Sequence, residues 1–428
     1  MTGLRQSVAV VGTGYVGLTT GACLAHLGHD VTCVDIDADK VASLARGEVR
    51  ILEPRLRELV VEGTRSGRLR FTTDTAAAVA DRSFVCLCVP SPQAPDGAAD
   101  MSFMRAAATE VGPHLRSGAV VINKSTVPVG STRLVEEALS RPDVEVVSNP
   151  EFLREGHAVE DFLRPDRVVI GADDDAVALQ VVALYVGLVA PVVVTDPASA
   201  ELIKYAANAF LATKLSFVNE VADLARELGA DIDDVVLGVG SDPRIGLNHF
   251  RPGPGWGGSC FPKDTRALLR MAEDAGQDLA VLGAAVRSNE ARFERTAARL
   301  EALVGSLDGT PVAAWGLTFK GGTDDRRDSP ALAVLDRAVR RGARVRAYDP
   351  TVPGGTVVLD GVATVDDPYA ACEGAEALAV LADWHDFTLL DLDRVASAMA
   401  VPRVLDVHNL LDRQTLERVG FEVARLDS

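Results

Sequence analysis

Hydrophobic positions first arrive along this chain as short unbroken runs, set apart by segments of helical pattern. "SVAVV" breaks into the glycine-rich "GTGYVG", "GLTTGACLAHLGH" follows as a helix, and "DVTCVDID" is again a strand-like run. The alternation continues through "FVCLCVP", "AVVINKST", "EVVSNP" and "RVVIGA". Apolar strands separated by helical segments predict a parallel sheet covered on both faces. Between positions 199 and 229 the period changes to that of one long helix, and further helices follow to position 305. A second alternation then starts, with strands at "PVAAWGLTF", "RVRAYDP", "ALAVLADW" and "RVLDVHN" and a helix at "SPALAVLDRAVRRGA". The pattern predicts an α/β protein of two doubly wound units joined by a helical middle. Its divisions fall at 1–198, 199–305 and 306–428.

One apolar stretch, "AVALQVVALYVGLVAPVVVTD", is long enough to raise a membrane span. Gln180 and Pro191 interrupt it, and it reads as a buried helix followed by a strand. "MTGLRQSVAVVGTGYVG" passes from a short polar start directly into a strand and turn, so no signal peptide is expected. Lys plus Arg number 43 against 61 Asp plus Glu, a net charge of −18. That balance argues against nucleic acid or an anionic membrane as the main partner, while leaving room for one phosphorylated small molecule. The six cysteines have neither a disulfide framework nor zinc-ligand spacing. Reduced thiols, no metal and a cytoplasmic location are the expectation.

Gly12, Gly14 and Gly17 form GxGxxG directly after a strand and before a helix. Such glycines permit a tight turn, admit backbone to a diphosphate and let helix pack on strand, which makes the first unit Rossmann-like. Asp35 closes the second strand, where a carboxylate reads the adenosine ribose hydroxyls and repels a 2′-phosphate. NAD is therefore expected rather than NADP. Lys40 is placed to reach the diphosphate or ribose edge, with a solvated lysine as the plainer alternative. Further on, "RPGPGWGGSCFPKDTRALL" delivers Cys260 to a helix start, with Pro262 in the first turn. A thiol there meets the positive helix end, which favours thiolate; a buried, inert cysteine is the alternative. Lys204 and Asn208 share one helical face. Glu151, Glu155 and Thr126 follow strands, where parallel sheets build their sites.

Taken together, "GTGYVG", "STVPVGST", "NPEFLREG", "ELIKYAANAFLATKLSFVNE", "RPGPGWGGSCFPKD" and "WGLTFKGGTDDRRDSP" resemble the UDP-glucose/GDP-mannose dehydrogenase family nearly end to end. The resemblance implies two Rossmann-like domains joined by a long central helix and a helical dimerisation region. It implies oxidation of a primary alcohol to a carboxylate in two hydride transfers, consuming two NAD. Cys260 would form a thiohemiacetal and then a thioester, with Lys204 and Asn208 stabilising the oxyanion and Asp264 orienting water. Glu151 would be the general acid/base of the hydrolytic step, with Thr126 beside it and the coenzyme. Coenzyme contacts would come from Gly12, Gly14, Tyr15, Val16, Gly17, Asp35, Lys40, Pro90, Ser91, Thr126, Glu155 and Arg327.

On the substrate side the resemblance assigns Glu151, Phe152, Leu153, Arg154, Glu155, Lys204, Asn208, Arg251, Gly255, Trp256, Gly257, Phe319 and Lys320. Arg244, in "DPRIG", would reach across a homodimer into the neighbouring site. "GGSCFPKD" with "DPRIG" favours UDP-glucose, oxidised to UDP-glucuronate. Three positions depart from the family pattern: Trp256 for Phe or Tyr, Asp328 for Glu, and His408 for an arginine expected at the substrate. The alternatives are a sister enzyme for TDP-glucose or GDP-mannose, or a non-catalytic NAD-binding regulatory protein.

Overall fold

The unbroken apolar runs become central strands because both their faces are covered. In the computed structural model, which describes residues 5–425, they assemble into two sheets. The first contains β1 (Ser7–Val11), β2 (Asp30–Val34), β3 (Leu69–Thr72), β4 (Phe84–Leu87), β5 (Val120–Asn123), β6 (Glu145–Ser148), β7 (Val168–Gly171) and β8 (Val192–Thr195). Their order is β3-β2-β1-β4-β5-β6-β7-β8, parallel except where β6 meets β7. A wholly parallel sheet was expected from the pattern. The chain instead returns from β6 through the short helix Ala158–Leu163, so β7 and β8 run back beside it. An antiparallel pair needs no full crossover.

The second sheet holds β9 (Pro311–Trp315), β10 (Arg344–Tyr348), β11 (Val362–Thr364), β12 (Ala377–Val380), β13 (Arg403–Asp406) and β14 (Glu422–Arg425). Its order is β11-β10-β9-β12-β13-β14, parallel throughout. Two compact units result. One extends to Ala207 and includes Arg266–Asp274; the other comprises Asn208–Thr265 and Ala275–Ser428.

Much of the acidic surplus is spent at helix starts. Asp37, Asp74, Asp174, Asp231 and Asp412 each accept a hydrogen bond from a backbone N–H of the helix they precede. Such caps satisfy donors that have no partner inside the helix. The long helix spans Pro197–Leu228, with Asp196 accepting from Ser199 at its start and Gly229 (φ +69°) beyond its end. The apolar stretch that raised a membrane span is a short helix, Asp175–Val182, and then β8. It is less buried than expected. Leu179 is exposed, and all three valines of β8 stand about two-fifths exposed because the strand lies at the sheet edge. Among the described residues no helix is long and apolar enough to cross a membrane.

Candidate active site

In the first unit the turn after β1 is built by close backbone approach. Gly12 sits at φ +94°, and a Cβ there would come within 2.5 Å of the Cys88 carbonyl oxygen. At Gly17 a Cβ would run into the Gly12 carbonyl, so the helix Tyr15–His26 packs on the strand only without a side chain. Gly14 is different: a Cβ would meet nothing within 4 Å, so packing inside the chain does not require glycine there. In this motif the second glycine is the one that lets backbone approach a diphosphate. Asp35 accepts from the Thr13 N–H (2.9 Å), the Thr13 hydroxyl (2.5 Å) and Lys40 Nζ (2.9 Å) on one oxygen, and from the Asp37 N–H on the other. Burial opposes its charge, but those donors outweigh burial and hold its carboxyl down at about 2. Lys40 is therefore an ion-pair partner of Asp35 rather than a solvated lysine. This cradle, with its permanently charged carboxylate, fits a dinucleotide without a 2′-phosphate.

The ends of the neighbouring strands are stitched to each other. Ser91 donates to the Thr126 carbonyl at 2.7 Å and Ser125 to the Val89 carbonyl at 2.7 Å, which fixes Pro90, Ser91 and Thr126 as one surface. Beyond β6, Glu151 and Lys204 form a buried ion pair at 3.1 Å. The second Glu151 oxygen accepts the Leu153 N–H at 2.6 Å, and Lys204 Nζ lies 5.3 Å from the Phe152 ring centre. A charge pair this deep holds only when further hydrogen bonds satisfy it. Arg154 is committed to Asp161, and Glu155 is half-buried in the same loop.

Two groups that sequence reasoning missed set this loop. Glu53 accepts from the Tyr15 hydroxyl in a short bond, from Gly156 N–H at 2.9 Å and from Val159 N–H at 3.3 Å. Burial and the adjacent Glu53 carboxylate push the Tyr15 hydroxyl far above the usual phenol range. The coenzyme turn, through Tyr15, and the loop following Glu151 are thus tied to one carboxylate. Lys124, buried, donates to the Asn149 side chain at 3.0 Å and to Tyr185 at 3.2 Å, and so fixes the residue two before Glu151. Neither residue has a motif to announce it.

In the second unit the helix Phe261–Asp274 begins immediately after Cys260, and the Asp264 N–H donates to the Cys260 carbonyl at 2.8 Å. Cys23, Cys33, Cys86, Cys88 and Cys372 are buried; Cys260 is half-exposed. Ser259 Oγ stands 3.5 Å from its sulfur. Asp264 is wholly buried and accepts from Asn208 Nδ2 at 2.6 Å and from Lys263 Nζ at 2.6 Å. A carboxylate gripped on both oxygens is held in place one turn below the thiol. Gly253 of the same loop donates to Asn219 at 2.8 Å and accepts from Arg292 at 3.0 Å. Arg251 is exposed, Gly255 is half-buried, and the Trp256 indole turns inward, 6% exposed.

Phe319 and Lys320 follow β9 in the second sheet, and a Cβ at Gly258 would come within 2.9 Å of the Phe319 ring. Gly258 N–H donates to the Arg327 carbonyl at 3.1 Å, while the Arg327 side chain pairs with Asp325. Asp328 adopts φ +46°, with its carbonyl over Gly257 where any Cβ would collide with it. His408 lies against the cysteine loop: a Cβ at Gly253 would stand 3.2 Å from its Cε1. Its Nε2 is 3.3 Å from the Leu381 carbonyl. Arg244 stands 87% exposed, paired with Asp242 of its own chain.

Three successive domains of one family match the sequence. Residues 6–189 match the UDP-glucose/GDP-mannose dehydrogenase NAD-binding domain, 198–291 its central domain and 313–413 its UDP-binding domain. A UDP-glucose 6-dehydrogenase of Rhizobium meliloti is 44% identical, covering 98% of this chain and 99% of that one. A UDP-glucose dehydrogenase structure from Pyrobaculum islandicum superposes with TM-score 0.90 at 39% identity, covering 99% of this chain and 97% of that one. A UDP-D-ManNAc dehydrogenase from Pyrococcus horikoshii gives 0.88 at 27% identity, covering 98% and 99%. The fold is thus shared by enzymes named for different sugars.

Proposed function

Because this chain belongs to the UDP-glucose/GDP-mannose dehydrogenase family, an NAD-dependent group of nucleotide-sugar dehydrogenases, we propose that it oxidises UDP-glucose to UDP-glucuronate. The observation that carries the reading is the half-exposed Cys260 at a helix start, one turn above a buried Asp264 gripped by Asn208 and Lys263. NAD, when bound, accepts hydride. The residues do the remainder. The alcohol proton passes to solvent as the first hydride leaves, and Lys204 and Asn208, four apart on one helix, stabilise the developing oxyanion. Glu151 serves as general acid/base in the later hydrolysis. Cys260 thiolate adds to the aldehyde carbon, and the carbonyl oxygen takes a proton to give a thiohemiacetal. Loss of a second hydride and the hydroxyl proton leaves a thioester. Water, oriented by Asp264, adds to it; the C–S bond breaks and the thiolate returns. Per alcohol carbon two hydrides are removed and one water is consumed, so two NADH form per carboxylate.

The choice of UDP-glucose is supported by the names and high identity of the relatives over nearly full length. His408, beside the cysteine loop, makes the nucleotide the point to test. A panel of UDP-glucose, TDP-glucose and GDP-mannose assayed for NADH formation does so; equal turnover of all three would overturn the preference. The three-part division at 198 and 305 and a cytoplasmic location belong to the same proposal, the latter supported by cysteines in the thiol form.

A homodimer is part of the same proposal. Phe210, Phe217, Leu224 and Leu228 expose more than half of their surface along one side of the long helix, at the spacing of a packing stripe. A second copy meeting it through a two-fold would cover it. Arg244 would then serve the neighbouring site. Subunit exchange between Arg244→Ala and Cys260→Ala should restore roughly a quarter of parental activity, because half the dimers are mixed and each has one intact site. No recovery would put Arg244 in its own chain's site.

A further inference from the structure

The segment that carries Cys260 has almost no side chains with which to pack. From Trp256 it passes Gly257, Gly258 and Ser259 before reaching the sulfur. Backbone of this kind is expensive to order, and only hydrogen bonds can fix it. Besides the Gly258 N–H bond to the Arg327 carbonyl, they come from beneath. The Trp256 N–H donates to Asn289 Oδ1 at 2.8 Å, and Asn289 Nδ2 donates back to the Trp256 carbonyl at 2.9 Å. Asn289 lies on the helix Ala280–Val304, 5% exposed. An amide side chain presents donor and acceptor side by side, so it grips both backbone groups of one residue as a neighbouring strand would. Gly255 lets the loop settle onto it, since a Cβ there would come within 2.8 Å of Asn289 Oδ1 and 2.5 Å of the Phe293 ring.

The Trp256 side chain adds a second anchor. Its indole N–H donates to Ser216 Oγ at 2.9 Å, and Ser216 donates to the Ala285 carbonyl at 2.9 Å. A phenylalanine or tyrosine at this position has no N–H to place there, so the tryptophan and the serine belong together. Three residues separate the gripped backbone of Trp256 from Cys260, and a displacement of about 1 Å at a reacting group costs up to roughly a hundred-fold in rate.

We propose that Asn289 is a positioning residue for Cys260, acting through the backbone of Trp256, with Ser216 as a weaker companion that holds the indole. The kinetic part rests on the dehydrogenase reading above; the thiol part does not. Full-length Asn289→Ala, Asn289→Asp and Ser216→Ala serve as the test. Alkylation by iodoacetamide at alkaline pH, read by mass spectrometry at each cysteine, reports loop order directly. In Asn289→Ala, Cys260 should react at least about three-fold faster while the five buried cysteines stay protected. Its kcat should fall about ten-fold or more with the KM for NAD within about two-fold, and Ser216→Ala should lose only about two- to three-fold.

Asn289→Asp keeps the shape but turns a charged oxygen toward the Trp256 carbonyl. Its kcat should recover toward the parental value as pH falls and the carboxyl regains a proton, a limb the alanine variant lacks. If Asn289→Ala does not fold, this pH limb alone decides, and its absence overturns the proposal. An unchanged Cys260 rate, a kcat within about two-fold of parental, or six cysteines reacting together would equally overturn it. Faster alkylation of Cys260 in a protein that makes no NADH from any nucleotide sugar would sustain the positioning role and sink the dehydrogenase reading instead.

Discussion

The two sheets repeat one plan and put it to different use. Strands β1 to β6 take the order β3-β2-β1-β4-β5-β6, and β9 to β14 take the order β11-β10-β9-β12-β13-β14. The turn after the first strand is the same in both. Gly12 N–H donates to the Val34 carbonyl and Gly316 N–H to the Tyr348 carbonyl, at 2.8 and 2.9 Å. Both glycines are left-handed, at φ +94° and +91°, and at either a Cβ would stand 2.5 Å from the neighbouring strand's end. The next N–H, of Thr13 or of Leu317, donates to an aspartate just past the second strand, Asp35 or Asp349, at 2.9 and 2.8 Å.

There the likeness ends. In the first unit the helix starts at Tyr15, and Asp35 keeps some exposure and a lysine partner. In the second the helix waits until Pro330, and the intervening loop carries Phe319, Lys320 and Arg327. Asp349 is turned inward, 1% exposed, accepting from Leu317, Thr318, Thr351 and the Trp384 indole. In the proposed function one aspartate is left to meet the coenzyme, and the other holds the loop proposed to meet the nucleotide. A shared backbone therefore leaves function to one turn and the solvation of one carboxylate.

If the turns are truly equivalent, the largest effects should be equal. Gly12→Ala and Gly316→Ala each force a left-handed alanine into backbone, and each should cost about 3 kcal/mol or more by thermal or denaturant unfolding. One tolerant site would break the comparison. The aspartates should then separate. Asp349→Ala orphans several buried donors and should destabilise the protein by about 3 kcal/mol. Asp35→Ala should act chiefly on the coenzyme, moving the NAD over NADP preference at least roughly ten-fold toward NADP, with a smaller loss of Tm than Asp349→Ala because Asp35 keeps some exposure. A parent that already uses both coenzymes equally would contradict this assignment.

The smallest effect is the response to acid. His29 is buried, accepting from Gln6 N–H with Nδ1 and facing the Leu184 carbonyl with Nε2, and burial lowers its pKa. The folded first unit favours the neutral ring, so stability present above pH 6.5 is lost as pH falls below it and the unfolded chain takes the proton. In the second unit burial raises the Asp406 carboxyl, although N–H donors of Leu411 and His408 partly offset it. Its charge costs stability that acidification relieves. Between pH 7 and 5, once the fall in the intrinsic exchange rate is divided out, amide protection in β1 should drop several-fold, about 1 kcal/mol or less, while protection in β13 is unchanged or higher.

Legibility followed the range of the signal. The glycine turn with Asp35, the cysteine loop and most strands are local patterns, and the sequence displayed them. The short strands β3, β11 and β14 were not read because "LRFT", "VAT" and "EVAR" are too short or too charged to stand out from loop. Asn289, Ser216, Asn219 and Arg292 are ordinary helix residues until their hydrogen-bond partners arrive from more than thirty positions away. Glu53 and Lys124 were missed for the same reason. The resemblance gives Trp256 only a backbone role at the substrate; its buried indole, bonded to Ser216, adds an anchor for the loop that the motif does not announce.

The central claim is that Cys260 makes one site remove four electrons from one alcohol. The direct measurement is the ratio of NADH formed to UDP-glucose consumed, with glucuronate identified as product, in the parent and in Cys260→Ser. The parent should give two NADH per sugar with no free aldehyde, because the sulfur adduct presents the second hydride before release. Cys260→Ser should bind NAD and UDP-glucose near the parental affinities yet make the carboxylate at least about a thousand-fold more slowly. A parental ratio of one, or a serine variant forming glucuronate at the parental rate, would contradict the account.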